Sequence, residues 1–423
     1  FSFYGMKNIL YVFMTEYLLS SSGVPEVMSD SDATGWYHTF VFGVYFTPVA
    51  GALISDGWLG KYRTILYISL IYCLGHLALS LDDTRVGLAI GLSLIALGSG
   101  GIKPCVSANV GDQFGPSNKH LLEKVYSWFY FSINFGSFFA TLIIPALLKS
   151  WGPKVAFGVP GVLMLVATIV FWLGRNRFVH VPPKGLGFLQ EALTPQGLKA
   201  MTRLVIIAAC VCIFWALYDQ HGSSWVAQAK KMDLTMPGRD LLPAFLAERA
   251  PEQILPSQIQ TANPLLIMIL IPIFTYVIYP SINKVFRLTA VLKIVIGFLL
   301  TAASFGIVAL IERQLQSGVQ LHVAWQLIPY VVLTSGEVMV SITGLEYFYS
   351  EAPPSLKSVA MSIWLLAVAF GNLLTASVSF LAGDLKGEAY FWFFAGLMSI
   401  AAVVFAIIIA AFAYIDRNPL PSD

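Results

Sequence analysis

Long apolar segments separated by short polar links run along the whole chain. A helix needs about 20 apolar residues to cross a hydrocarbon core about 30 Å thick, and twelve segments of about this size can be counted. They are 1–21, 34–56, 63–81, 86–108, 121–147, 155–174, 203–220, 263–283, 289–311, 323–348, 356–382 and 388–415. The pattern therefore predicts an all-α membrane protein with twelve transmembrane helices.

The composition agrees with a chain that lies in a lipid bilayer. Hydrophobic residues make up 57% of the 423 residues and charged residues 11%, whereas soluble proteins carry about 25% charged residues. A soluble enzyme with a conventional core is thus excluded, and a net charge of +2 gives no reason to expect a nucleic-acid partner. The four cysteines lie in apolar stretches without CxxC spacing, so we predict no metal site and no cofactor.

Lysine and arginine are unevenly distributed among the links between segments. Links after even-numbered segments, with the C-terminal tail, hold fourteen of them, against nine in the other links. Because cytoplasmic loops are enriched in these residues, both termini are predicted to be cytoplasmic. The longest cytoplasmic link, 175–202, separates a six-helix bundle at 1–174 from a second at 203–423. Secondary transporters commonly bind substrate between two such halves.

Five ionisable residues stand out within the apolar segments, namely Lys7, His38, Lys103, Asp219 and Glu337. An ionisable group at the centre of a bilayer costs about 2.5–3.5 kcal/mol, so such groups usually face a partner or a cavity. Both lysines are in the first half and both acids in the second. They could form ion pairs that join the halves, or line opposite walls of a cavity for a zwitterion with separated amine and carboxylate. The two arrangements could also alternate during a transport cycle.

Eight ordered segments are more specific than these charges. They are FSFYGMKNIL from Phe1, YHTFVFGVYFTP from Tyr37, GSGGIKPCVSANVGDQF from Gly98, FYFSINFGS from Phe129, FWALYDQHGSSW from Phe214, NPLLIM from Asn263, GEVMVSITGLEYFYSEAP from Gly336 and KSVAMSIWLLAVAFGN from Lys357. Together they resemble the proton-dependent oligopeptide transporter family of the major facilitator superfamily. The first segment resembles the downstream part of that family's ExxERFxYYG motif, so we expect its two glutamates and arginine immediately before Phe1.

This resemblance implies a major facilitator fold and import of di- and tripeptides together with protons. The positions that match the family's substrate site are Tyr4, Lys7, Tyr45, Lys103, Tyr130, Asn134, Trp215, Asn263, Glu337 and Trp364. The peptide amine is then expected near Glu337 and Asn263, and its carboxylate near Lys7 and Lys103. The implied proton-coupling residues are His38, Lys103, Asp219 and Glu337. At the position of Lys7 the family usually has arginine. Lysine, unlike arginine, cannot bind a carboxylate through two parallel hydrogen bonds.

His38 and the lengths of two links refine the expected role and location. The context YHTF resembles animal-type peptide carriers, in which this histidine is associated with proton binding, although a purely structural histidine is the alternative. An imidazole titrates near neutral pH without much tuning. The short central link leaves no room for two additional helices, and the brief link between segments nine and ten does not fit the large extracellular domain of animal carriers. We therefore expect a bacterial inner membrane.

Two competing functions remain open. The same family includes carriers of nitrate and other small organic anions, but Glu337 would repel an anion in the site. A membrane-embedded enzyme would need a nucleophile, a base and an orienting group, or a cluster of metal ligands, and the sequence offers no convincing set. A transporter is therefore expected rather than an enzyme.

Overall fold

The computed structural model of the protein describes residues 1–114, 117–118, 121–183, 185, 194–236, 238–239, 251–285, 287–351, 357–382 and 385–417. These residues are almost entirely helical, and extended pairing among them is limited to isolated bridges. We number the α-helices α1 Ser2–Glu16, α2 Asp30–Ile54, α3 Lys61–Leu81, α4 Arg85–Gly111, α5 Leu122–Leu173, α6 Pro195–Tyr218, α7 Ser224–Ala229, α8 Ala262–Ile273, α9 Tyr279–Asn283, α10 Ala290–Gln316, α11 Leu327–Glu337, α12 Thr343–Glu351, α13 Lys357–Leu381 and α14 Gly387–Arg417.

The described helices account for the twelve predicted passes. Ten stretches are long and apolar enough to cross a membrane. One of them, Phe131–Asn176, contains two passes, because Gly152 has a φ of +76° and breaks α5 within the link predicted at 148–154. α1 supplies the remaining pass, although at 15 residues it ends at Glu16 rather than near the predicted residue 21. The pass predicted at 203–220 is, by contrast, longer than expected, since α6 begins at Pro195.

Side-chain caps fix the starts of several helices. Ser29 accepts a hydrogen bond from the backbone N–H of Asp32 at the start of α2, and Thr84 and Thr289 do the same for α4 and α10. A hydroxyl at this position satisfies a backbone donor that the first helical turn leaves unpaired. Short polar links can therefore set helix boundaries even between strongly apolar segments.

Buried apolar side chains form two large clusters. The first draws mainly on α1 to α5, with Phe13, Tyr37 and Phe157 among its fully buried members. The second draws mainly on α6 to α14, with Phe214, Phe298 and Phe305 among its fully buried members. These clusters support two helical bundles, while the division at 175–202 remains a prediction.

Polar contacts join the two bundles toward one end of the molecule. We call it the α1–α2 end, because it carries the connection 17–29 between those helices. Here Ser31 on α2 donates to the carbonyl of Ser379 on α13 at 2.5 Å. Gln260 donates to the carbonyl of Asn8 on α1 at 3.3 Å. Helix α2 therefore lies along α13, and α1 lies against the turn that precedes α8.

Candidate functional site

A buried ion pair between the bundles lies at the centre of the candidate site. Lys7 on α1 places Nζ 2.6 Å from Oδ1 of Asp219, in the 3-10 turn that joins α6 to α7. Both residues are buried. Of the two arrangements that the sequence allowed, the structure therefore forms the ion pair for these two residues. Removing one partner of such a pair leaves an uncompensated buried charge and costs about 3–5 kcal/mol.

The ion pair continues into a chain of hydrogen bonds that ends at His38. Asp219 accepts a second bond from the amide of Asn372 at 2.8 Å, and the Asn372 carbonyl oxygen lies 2.6 Å from Nδ1 of His38. The other ring nitrogen of His38 lies 2.9 Å from Oγ of Ser223. We call Lys7, Asp219, Asn372, His38 and Ser223 the polar chain. It crosses between the bundles three times, because Lys7 and His38 belong to the first bundle and the other three residues to the second.

This geometry accommodates both protonation states of His38. The Asn372 amide N–H groups donate to Asp219 and to the Val368 carbonyl, so the amide oxygen accepts a hydrogen bond from Nδ1–H of His38. The Ser223 hydroxyl can donate to Nε2 of a neutral ring. When the ring is charged, the hydroxyl can accept instead and turn toward the Gln220 carbonyl 3.5 Å away. No heavy atom has to move for His38 to gain a proton.

Glu337 lies in a second polar group, held by neutral partners. It is the last residue of α11 and precedes the π-helical segment Val338–Ile342, a distortion often found at functional sites. Its two carboxylate oxygens accept from the hydroxyl of Tyr218 at 2.9 Å and the amide of Asn263 at 2.8 Å. Asn263 also donates to Thr334 at 3.1 Å. A second ion pair, between Glu337 and a lysine, is not formed among the described residues.

Lys103 faces aromatic rings on the first bundle. Its ammonium lies 3.8 Å from the centroid of Tyr45 and 4.1 Å from that of Phe3. A cation over an aromatic face gains about 0.5–2 kcal/mol, the larger value where water is excluded. Just before it on α4, Gly98 and Gly100 let the helix approach α3 and α2, because an added Cβ would overlap Tyr72 and Thr47 respectively. Close packing of this stretch thus sets the position of Lys103.

Tryptophans form an apolar wall beside the Glu337 group. Trp215 and Trp364 meet edge to face with centroids 6.2 Å apart, and Phe348 packs on Trp364 at 5.3 Å. Trp215 also contacts the ring of Tyr218, which bonds Glu337. The indole N–H of Trp215 is buried without a hydrogen-bond partner among the described groups. It is a donor that a substrate carbonyl could satisfy.

The remaining predicted positions lie on the first bundle. Tyr4 is 37% exposed and lies one turn before Lys7 on the same side of α1. Asn134 is half-buried on the first part of α5, one turn after Tyr130. The side chain of Tyr130 lies outside the described residues, so the structure does not test its predicted contact with substrate.

Phe3, Tyr218, Ser223 and Asn372 are among the residues of these groups that were missed at the level of individual positions. Each lies within one of the eight segments that carry the family resemblance. The signal for them was therefore present, but nothing in their residue types separated them from their apolar or aromatic neighbours.

Comparison with known sequences identifies relatives along most of the chain. A model of the POT family matches residues 62–193 and 187–393. Solute carrier family 15 member 2 of Mus musculus is 34% identical over 397 residues, covering 81% of this chain and 51% of that protein. Peptide transporter family 1 of Drosophila melanogaster is 36% identical over 363 residues, covering 75% of this chain and 46% of that protein. The chain thus spans about half the length of these curated relatives.

Solved structures agree with the fold over almost the whole chain. The crystal structure of the POT family transporter PepTSo has a TM-score of 0.85 and 38% identity, covering 98% of this chain and 95% of that one. An auto-inhibited POT family peptide transporter has a TM-score of 0.84 and 34% identity, covering 100% and 95%. The predicted all-α major facilitator fold, with twelve transmembrane helices in two six-helix bundles, is confirmed by this agreement. The family match over most of the sequence, together with this shared fold, shows that the chain belongs to the POT family.

Proposed function

We propose that the protein is a proton-coupled symporter that imports di- and tripeptides by alternating access. The observation that carries the proposal is the separation of two charges between the bundles. Glu337 on the second bundle is held by Tyr218 and Asn263, and Lys103 on the first is held by aromatic rings. Because these partners are neutral, the carboxylate of Glu337 and the ammonium of Lys103 can each still pair with an opposite charge on a substrate. A short peptide, with an amine at one end and a carboxylate at the other, has the complementary pattern.

We assign substrate binding to both bundles. The residues are Tyr4, Lys7, Tyr45, Lys103, Tyr130, Asn134, Trp215, Asn263, Glu337 and Trp364. In this assignment Glu337 and Asn263 bind the amine, and Lys103 binds the carboxylate. Lys7 is engaged by Asp219 at 2.6 Å, so a peptide carboxylate that reaches Lys7 has to compete with Asp219. Substrate binding and the closure between the bundles are thereby coupled.

Proton coupling is assigned to His38, Lys103, Asp219 and Glu337. A proton on His38 adds positive charge two hydrogen bonds away from Asp219, through Asn372. The added charge competes with Lys7 for the carboxylate and favours separation of the ion pair. Moving one charge across 100 mV supplies about 2.3 kcal/mol, which permits roughly fortyfold accumulation. Equal affinity for peptide on both sides would accumulate nothing.

The direct test uses purified protein in liposomes with a pH-sensitive dye inside. Adding a dipeptide outside should acidify the interior and load intact peptide against its gradient, while protein-free liposomes should do neither. Acidification by nitrate without any response to peptide would instead favour the anion carrier. Conversion of the peptide into a product would overturn the assignment as a transporter rather than an enzyme.

We place the protein in a bacterial inner membrane with both termini in the cytoplasm. The surplus of lysine and arginine in the links after even-numbered passes supports the orientation. The link between α10 and the turn at Val323–Gln326 is short, which supports the location, although the relatives above are from animals.

A membrane-impermeant thiol reagent tests the orientation. It should label a cysteine introduced at Val319 from outside intact cells, whereas labelling from the cytoplasmic side alone would reverse the topology.

A further inference from the structure

A second, shallower ion pair joins the bundles at the α1–α2 end. Lys230, which follows α7, places Nζ 2.6 Å from Oε1 of Glu16 and 2.6 Å from Oγ1 of Thr15. The same ammonium lies 5.4 Å from the ring centroid of Tyr11. All three partners belong to α1. The side chains of Lys230 and Glu16 are 21% and 46% exposed, so the pair lies at the rim rather than in the core.

The charges at the end of α1 require a cation from elsewhere. Glu16 is the last residue of α1, and the last turn of that helix contains no basic residue. The negative end of the helix dipole therefore adds to the carboxylate charge. The ammonium of Lys230, which comes from the opposite bundle, compensates both the Glu16 carboxylate and the negative end of the helix dipole.

Lys230 is carried on a segment that is fixed to the second bundle. The neighbouring Lys231 bonds the buried carboxylate of Glu312 on α10 at 2.9 Å, and Gln228 donates to the same carboxylate at 3.0 Å. Gln326 holds the carbonyl of Trp225 at 3.0 Å. Two adjacent lysines thus have different partners, Lys231 within its own bundle and Lys230 across to the other.

The end of α1 is fixed just as firmly to the first bundle. The Tyr11 hydroxyl donates to Asp30 at the start of α2 at 2.6 Å, and the backbone N–H of Met28 donates to the carbonyl of Met14 at 2.9 Å. Since neither side can follow the other, the contact between Lys230 and Glu16 must break when the bundles separate at this end.

We propose that Lys230 is an outer latch, which holds the α1–α2 end closed in series with the deeper pair of Lys7 and Asp219. The proposal rests on the proposed function, because a latch acts only in a protein that opens and closes. Lys230 itself does not contact substrate in this scheme. It sets the fraction of molecules that are open at the α1–α2 end.

The test measures the opening of that end directly, without a transport assay. Spin labels on Val24→Cys and Val319→Cys, both at exposed positions, report the distance between the bundles in protein whose native cysteines are replaced. Lys230→Gln should raise the ratio of open to closed molecules about two- to fivefold, the range for a partly exposed pair. The charge-swapped protein with Glu16→Lys and Lys230→Glu should regain the original distribution. High salt should open the unmutated latch and leave Lys230→Gln unchanged.

Lys231→Gln is the matched control. It removes the neighbouring lysine and should lower the melting temperature, because Glu312 loses its cation, while leaving the distance distribution unchanged. An unchanged distribution in Lys230→Gln, an equal shift in Lys231→Gln, or no recovery on charge swapping would each overturn the latch. If the distances shift as expected but liposomes transport no peptide, the proposed function fails and the latch stands as a closure between the bundles.

Discussion

Glu337 is the residue whose neutralisation should be most informative. Glu337→Gln preserves the shape of the side chain and a contact with the Tyr218 hydroxyl, but it removes the charged partner that we propose for a peptide amine. A hydrogen bond to a charged group contributes about 1.5–3 kcal/mol, so we expect proton-driven dipeptide uptake to fall about 10- to 100-fold. Uptake into liposomes checks this.

The matched control for Glu337 is Glu312→Gln, which neutralises a buried carboxylate paired with Lys231 in the same bundle. It should lower the melting temperature more than it lowers the uptake measured at equal amounts of folded protein. Unchanged uptake in Glu337→Gln would remove this residue from the site.

His38 gives a prediction about pH. If its protonation outside starts the cycle, uptake should rise as the external pH falls, because a lower pH favours the protonated imidazole. His38→Gln should flatten this rise, because an amide cannot take up the proton. His76 is the control, since it is also buried in the first bundle and bonds the Phe157 carbonyl at 3.1 Å. The same flattening in His76→Gln, or a normal profile in His38→Gln, would exclude the assignment.

At the residue scale, the sequence predicted charged groups far better than neutral ones. Lys7 and Asp219 stand out because a charge in an apolar segment is costly, and the structure pairs them. Asn372 and Ser223 complete the same polar chain, yet amides and hydroxyls occur in many helices with only local backbone bonds. Phe3 was equally hidden, since aromatic residues make up 14% of the chain. Only their three-dimensional neighbours distinguish such residues.

At the element scale, hydrophobicity located every pass but not every boundary. The apolar run predicted a first helix to residue 21, whereas α1 ends at Glu16 and Leu19 bonds the carbonyl of Asp83 instead. Hydrophobicity reports where a segment can lie in lipid, but a helix end depends on which backbone groups find other partners. The continuation of α6 into α7 beyond the 3-10 turn was missed for the same reason.

Glycines that permit close helix packing give a prediction about stability. An added Cβ on Gly51 of α2 would overlap the backbone of Gly100 on α4, which cannot move aside as a side chain would. We expect Gly51→Ala to destabilise the first bundle by about 1–3 kcal/mol, the usual cost of overpacking. Gly396 on α14 is the control, because a Cβ there meets nothing within 4 Å. Gly396→Ala should leave the melting temperature unchanged or raise it, and an equal loss in both variants would contradict the packing argument.

At the scale of the whole molecule, the two bundles are joined by contacts of different depth. The pair of Lys7 and Asp219 is buried, whereas Lys230 and Glu16 meet at the rim. Both pairs combine a cation and an acid from opposite bundles, so each must separate if the molecule opens at the α1–α2 end. The sequence predicted opposite charges on the two halves but not which of them would meet, because that depends on how the bundles are docked.

Neutralising the deep pair separates its structural role from its role in coupling. Lys7→Gln and Asp219→Asn alone each leave a buried charge unpaired, and each should cost about 3–5 kcal/mol of stability. The double variant leaves no buried charge unpaired and replaces the ion pair by two amides that can hydrogen-bond each other, so its melting temperature should lie above those of both single variants. In the double variant, no charge remains for His38 to influence through Asn372. This variant should still exchange peptide across the liposome membrane, but its proton-driven accumulation of peptide should fall about tenfold. Full accumulation in the double variant would show that the pair only fastens the bundles together.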